Sequence, residues 1–176
     1  MIITMINTRW LLFLAMDLEK TKVNVHTMGT NCCWRRIHEF PYGVPIGKSA
    51  KFVCGIINWV VSKDGNEMNS PFFIVSLDLK NESYHEILQP GYGDVDVGFL
   101  TLGEFRDSLC IFAHAKSFID VWLMKEYEKK ESWNKLFTIP LIEDHLGYYP
   151  CTKVAYIYGH EQVLLVSKSY YLKLVV

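Results

Sequence analysis

Three features of the sequence predict an all-β fold. Short runs rich in β-branched and aromatic residues recur along the chain, separated by polar or glycine-bearing connectors. Three similar segments, Trp34-Arg-Arg-Ile37, Tyr84-His-Glu-Ile87 and Trp133-Asn-Lys-Leu136, follow one another at spacings of 50 and 49 residues. Many of the runs are apolar on both faces, as strands are when one sheet stacks against the next. A four-stranded unit repeated about every fifty residues has the period of a β-propeller blade. The prediction is a partial β-propeller of about three four-stranded antiparallel blades, incomplete at both ends. A β-sandwich built from the same strands is the alternative.

With the strands of a unit called A to D, the chain reads C-D, A-B-C-D, A-B-C-D, A-B-C. Lys22–Thr27 is the first C strand and Trp34–Ile37 the first D strand. Lys51–Gly55 and Ile56–Val61 are A and B of the next unit; Phe72–Leu79 and Tyr84–Ile87 are its C and D. Phe99–Leu102 leads through Glu104–Asp107 into Leu109–Phe112, and Phe118–Met124 pairs with Trp133–Leu136. Val154–Ile157, Val163–Val166 and Tyr170–Val176 supply A, B and C of the last unit. Gly55, Gly103 and Gly159 are expected in or near turns, where positive φ is inexpensive for glycine. Met124–Ser132 mixes charges without an apolar stripe, which predicts an exposed hairpin tip rather than a helix. Residues 1–17 are read as a divergent apolar segment and 18–176 as the β domain.

Composition narrows the function. The 176 residues suffice for one domain with a sizeable core, and 50% are hydrophobic, which argues against disorder. A formal net charge of -1 gives no basic excess for nucleic acid or an anionic membrane. Trp10–Met16 is too short to span a bilayer, and it lacks the basic start and cleavage site of a signal peptide. Five cysteines, Cys32, Cys33, Cys54, Cys110 and Cys151, contain no C-x-x-C pair; each is expected as a small buried hydrophobe in a reducing, intracellular compartment, cytoplasm or nucleus.

No nucleophile elbow, H-E-x-x-H or phosphate-binding loop is present, so no enzyme activity, cofactor or metal is expected. Glu143-Asp-His145 reads as a solvated loop, and Asp94 with Asp96 lacks the further ligands of a calcium loop. His114 and His160 read as structural histidines beside strand ends. Recognition is easier to place. Successive antiparallel strands reverse direction, so D-to-A and B-to-C connections share one face. The long connections, His38–Ser49, Ser62–Ser70, Gln89–Val97 and Pro140–Pro150, all belong to that face. It carries Phe40 and Asp144 together with the candidate partner-binding residues Tyr42, Tyr92, Asp94, Asp96, His145, Tyr148 and Tyr149, because tyrosines beside charged groups are common interface anchors. Trp34, Trp59, Trp122 and Trp133 lie inside strands and are expected in the core. Arg35, Arg36 and Arg106 fall in D strands or A-to-B turns, away from the loop-rich face.

Asp120-Val-Trp-Leu-Met-Lys-Glu-Tyr127, followed by Glu131-Ser-Trp133 and Phe137, resembles the F-box-associated interaction domain of plant F-box and kelch-repeat proteins. Gly29-Thr-Asn31 before Trp34–Ile37, Val53-Cys-Gly55 before Asn58-Trp59, and Ser76–Leu79 before Glu86 and Pro90 extend the resemblance over 18–176. It implies a kelch-like propeller that holds a protein substrate for an SCF-type ubiquitin ligase. Members usually carry an amino-terminal F-box that docks on the Skp1 adaptor. No amphipathic helical segment precedes Asp17, so Skp1 binding is expected of the family but not of this chain alone. The alternatives are a carbohydrate- or small-ligand-binding propeller, and a non-functional truncated gene product.

Overall fold

The computed structural model of the chain describes residues 2–7, 10–16, 21–27, 34–37, 39–40, 42–46, 50–63, 71–140, 151–158, 162–167 and 171–175. Side chains are described within 23–25, 35–37, 39–40, 42–43, 45–46, 50–63 and 71–140. Among the described residues the architecture is all-β, four antiparallel sheets in chain order. The first sheet runs β1 (Ile2–Asn7), β2 (Trp10–Met16), β3 (Thr21–Thr27), β4 (Trp34–Arg36). The second joins β5 (Val44–Pro45) and β6 (Lys51–Val53), both paired with β7 (Ile56–Ser62), to β8 (Phe72–Asp78) and β9 (Ser83–Ile87). The third is β10 (Phe99–Phe105), β11 (Ser108–His114), β12 (Phe118–Met124) and β13 (Trp133–Pro140). The fourth is β14 (Cys151–Tyr158), β15 (Gln162–Ser167) and β16 (Tyr171–Val175).

The expected hydrogen-bonded order is found as A-B-C-D in the second and third sheets and A-B-C in the fourth, whereas the first sheet, expected as C-D, has two further strands ahead of them. The segment set apart in the sequence contributes β1 and β2, with Trp10–Met16 paired residue for residue to Thr21–Thr27. In the second sheet the A position is divided. Pro45 pairs with Val61 and Lys51 with Asn58. Strand β10 contacts β6 and β7 of the second sheet and β14 of the fourth. The first strand of the third sheet is thus a neighbour of the first strands of the sheets before and after it, as in blades of a propeller.

Strand alternation explains why the central strands are apolar throughout. Ile57, Trp59 and Val61 of β7, with Val75 and Leu77 of β8, pack on Val23, Val25 and Ile37 of the first sheet and its exit. Val60 and Ile74 point the other way and pack with Val53 and Ile87 on Leu100, Leu102, Leu109 and Ile111 of the third sheet. Cys110, Phe112, Ile119, Val121 and Ile139 form a cluster on the opposite face of the third sheet. Each fully buried aliphatic side chain contributes about 1.5–3 kcal/mol relative to an exposed one. The first two clusters hold sheet to sheet; ladder hydrogen bonds hold strands within a sheet.

The turns correct two expectations. Cys54 and Gly55 form the two-residue β6–β7 hairpin, at φ 50° and 86°. Positive φ at both positions matches the twist of the flanking strands. Cys54 is exposed there, not buried, and its thiol donates to the Asp107 carbonyl at 3.2 Å. Cys110 is buried as expected. Gly103 lies inside β10, opposite Cys110, rather than in a turn. β10 continues to Phe105, and Arg106 and Asp107 make the turn themselves at φ 49° and 59°. Gly159, Cys32, Cys33 and His160 lie outside the described residues.

In the second and third blades the aromatic that marks the repeat reaches back to the preceding blade. Tyr84, near the start of β9, meets Phe40 edge to face at 5.5 Å, and Phe40 in turn meets Trp59 at 5.6 Å. Phe40 lies three residues beyond Ile37 on the way out of the first blade. Trp133, opening β13, donates its indole N–H to the Leu88 carbonyl at 2.8 Å, one residue beyond Ile87 on the way out of the second. Trp59 and Trp133 are buried as expected, and Trp122 is partly buried. The Trp34 side chain lies outside the described residues.

Candidate functional site

The D-to-A connection between the second and third blades, Leu88 to Gly98, is described throughout. It is tied down at both ends. The Leu88 carbonyl accepts from Trp133, and the Gln89 amide N–H donates to the Phe72 carbonyl at the start of β8. Pro90 is buried. The Tyr92 hydroxyl donates to Gln89 Oε1 at 3.1 Å, and its ring meets Trp122 edge to face, with centroids 6.0 Å apart. Val97 packs on the second cluster, and the Gly98 N–H donates to the His114 carbonyl at 2.9 Å. Between these ties Gly91, Gly93, Asp94 and Asp96 are exposed, and Leu88 is 56% exposed.

The structure thus separates two candidates that are adjacent in sequence. Tyr92 packs against the blade interface, where burial pushes its phenol above the usual tyrosine range. Asp94 and Asp96 are displayed. Tyr42 is half-buried against the cluster between the first and second blades, with Phe40 buried beside it. His145, Tyr148 and Tyr149 lie outside the described residues, as does Asp144. Leu88 and Gln89 are the residues that sequence reasoning missed. The only signal was the pairing of a large apolar residue with an amide directly after a D strand, and its meaning depends on Trp133, 45 residues away.

The opposite face is held by the hairpin turns. In the Lys125–Ser132 tip the Ser132 hydroxyl donates to the carbonyls of Glu126 and Lys129, and a single 3-10 turn covers Lys130–Ser132. Tyr127 leaves this tip and donates to Asn58 Oδ1 in the second blade at 2.6 Å. Burial pushes the Tyr127 hydroxyl up to about 12. In the second blade's C-to-D turn, Asp78 accepts the Lys80 and Asn81 backbone N–H groups; the Lys80 bond leads in lowering its carboxyl below the usual range. Glu82 of that turn pairs with Arg35 of the first blade. Both C-to-D turns therefore reach to the blade before them.

Chemistry is sparse in what is described. Among the described residues no group of three or more histidine, cysteine or acidic side chains could hold a metal. A cleft of about 310 Å³ is lined by Arg36, Ile37, Glu39 and Glu82. Two carboxylates beside one guanidinium make it a poor seat for an anion. His114 is buried as a structural histidine, 3.1 Å from the Thr101 hydroxyl and stacked on Phe99. Among the described residues no helix is long and apolar enough to cross a membrane.

Comparison with known proteins agrees with this geometry. The chain matches the family model described as the F-box associated beta propeller domain over residues 6–174. It is 30% identical over 115 residues to F-box/kelch-repeat protein At3g23880 of Arabidopsis thaliana, covering 63% of this chain and 30% of that protein. It is 29% identical over 124 residues to F-box protein At3g07870 of the same plant, covering 70% of this chain and 29% of that protein. Against the plant's F-box protein CPR1 the identity is 28% over 128 residues, 70% of this chain and 29% of the relative. The chain spans less than a third of the length of these curated relatives. The repeat period, the blade order and the match over nearly the whole length agree, and the chain belongs to the F-box-associated β-propeller family.

Proposed function

We propose that this chain is a non-catalytic protein-recognition module, the part of an F-box-type adaptor that holds the protein presented to an SCF ubiquitin ligase. The observation that carries this reading is the Leu88–Gly98 connection. Its backbone is tied at both ends while Leu88, Asp94 and Asp96 are turned outward. A surface already ordered before binding loses little conformational entropy when a partner arrives. Tyr42, Tyr92, His145, Tyr148 and Tyr149 complete the proposed face. Tyr92 serves as the loop's anchor, and the two aspartates as its contact atoms. Skp1 docking belongs to the F-box of the whole adaptor, not to this face.

The test is quantitative affinity purification from plant cells, comparing the wild-type chain with an Asp94→Lys/Asp96→Lys variant. Both positions are exposed, so the variant folds. The expected result is a set of proteins recovered with the wild type and depleted at least tenfold, as an order of magnitude, with the variant, since like charge across an interface costs several kcal/mol. Identical recovery by both chains overturns the assignment of this face.

A further inference from the structure

We propose that Trp133 and Trp122 of the third blade are positioning residues for recognition, holding the Leu88–Gly98 connection in one preformed shape. This rests on the reading of that connection as part of the partner-binding face. It assigns a role to residues that touch no partner themselves.

The connection has no regular secondary structure, so its shape depends on what it is fastened to. Trp133 fixes the entry through the Leu88 carbonyl, and the polar end of a buried indole has one donor to give. Trp122 fixes the middle by receiving Tyr92 edge to face, an arrangement that aromatic quadrupoles favour. The Tyr92 hydroxyl then binds Gln89 Oε1, while the amide N–H of Gln89 holds the Phe72 carbonyl. One chain of contacts therefore runs from the third blade through Tyr92 and Gln89 to the second blade. The exit is fastened at Gly98 to the His114 carbonyl. Only Gly91, Gly93, Asp94 and Asp96 remain exposed between the ties, with Val95 half-buried among them. The exposed residues lie within Gly91–Asp96, which Tyr92 pins near its start, and this suits rigid presentation rather than a floppy arm.

The physical consequence is that the aspartates are placed from behind by indoles on a different blade. Loss of the Trp133 donor leaves the Leu88 carbonyl without this partner and frees the entry to move. Loss of the Tyr92 hydroxyl cuts the link between the blades but leaves the ring contact in place.

Chymotrypsin provides the assay, because cleavage after Tyr92 requires the connection to leave its ties and enter the protease. The variants are Trp133→Phe and Tyr92→Phe; each keeps an aromatic ring and removes one donor. The expected result is slow cleavage at residue 92 in the wild type and a rise of roughly tenfold in both variants, the factor that one lost buried hydrogen bond gives. The rise is confined to that site, with cleavage within β7, β8, β11 and β12 unchanged; a general loss of stability would raise all sites together. Wild-type cleavage as fast as in the unfolded chain, or equal acceleration everywhere, overturns the positioning role. The aspartate variant keeps the two readings apart. If Trp133→Phe loosens the connection while Asp94→Lys/Asp96→Lys leaves partner recovery unchanged, the positioning stands and the recognition face falls. A mobile wild-type connection together with partner loss in the aspartate variant gives the reverse.

Discussion

Replacing Tyr127 by phenylalanine removes one oxygen and tests how the third blade is locked to the second. The hydroxyl donates to Asn58 Oδ1 at 2.6 Å, across 69 residues of chain. Asn58 is 0% exposed, and its amide N–H group is directed at the carbonyls of Lys51 and Ile56, at 3.3 and 3.4 Å. Removal of the hydroxyl leaves Asn58 Oδ1 buried without its donor, at a cost of about 1–3 kcal/mol. For a chain of this size each kcal/mol lowers the thermal midpoint by roughly 2–4 °C. Tyr127→Phe should therefore lower the midpoint by about 4–8 °C for a mid-range loss of about 2 kcal/mol. A double-mutant cycle with Asn58→Ala isolates the pair, and its coupling energy should exceed about 0.5 kcal/mol. The phenol gives a second readout. Tyr127 is pushed up to about 12 by burial, so the folded chain keeps it neutral while the unfolded chain ionises near the ordinary tyrosine value of 10.0. Stability from this group is whole below pH 10 and is lost as pH rises towards 12. A midpoint within 1 °C of wild type, as a rough threshold, with coupling near zero would refute the lock, since neither fits an unsatisfied buried acceptor.

Two further outcomes follow from packing. Burial pushes His114 down to about 4 from 6.5, so above pH 6.5 the ring is neutral in folded and unfolded chains alike. As pH falls from 6.5 towards 4 the unfolded chain takes up a proton that the folded chain excludes. Stability should drop by up to about 3 kcal/mol, and His114→Gln should flatten that part of a urea-denaturation profile against pH. Gly43 lies against the Ser62 backbone carbonyl with no room for a methyl group. Gly43→Ala should cost about 1–3 kcal/mol by denaturant unfolding, whereas Gly91→Ala, with open space around it, should stay within about 0.5 kcal/mol.

The fold was legible because its signal is local and repeated. A run such as Ile56–Val61 is apolar at every position but Asn58, and the two-faced burial of β7 is what that pattern encodes. Trp59 and Trp133 were readable as core for the same reason. Turn positions were less legible. Glycine marks the Cys54–Gly55 turn, but Arg106 and Asp107 adopt positive φ without one, so the end of β10 carried no composition cue. β1 and β2 were hidden because Trp10–Met16 is almost uniformly apolar and shows no period to separate strand from other buried segments. The division of labour within the site was not legible at all. Tyr92 and Asp94 are two residues apart, yet one is anchored and the other displayed, and the deciding partner, Trp122, is 30 positions further on. Contacts of that range depend on how blades stack, which no short window records.

The backward reach of Tyr84, Tyr127 and Trp133 gives the molecule a direction. A chain leaving the ribosome amino end first would always find the preceding blade already available to grip. The Trp133 and Tyr127 contacts close over 45 and 69 residues, so each closure waits for roughly one new blade of chain and no more. Assembly can then keep pace with synthesis, each newcomer clasping its elder.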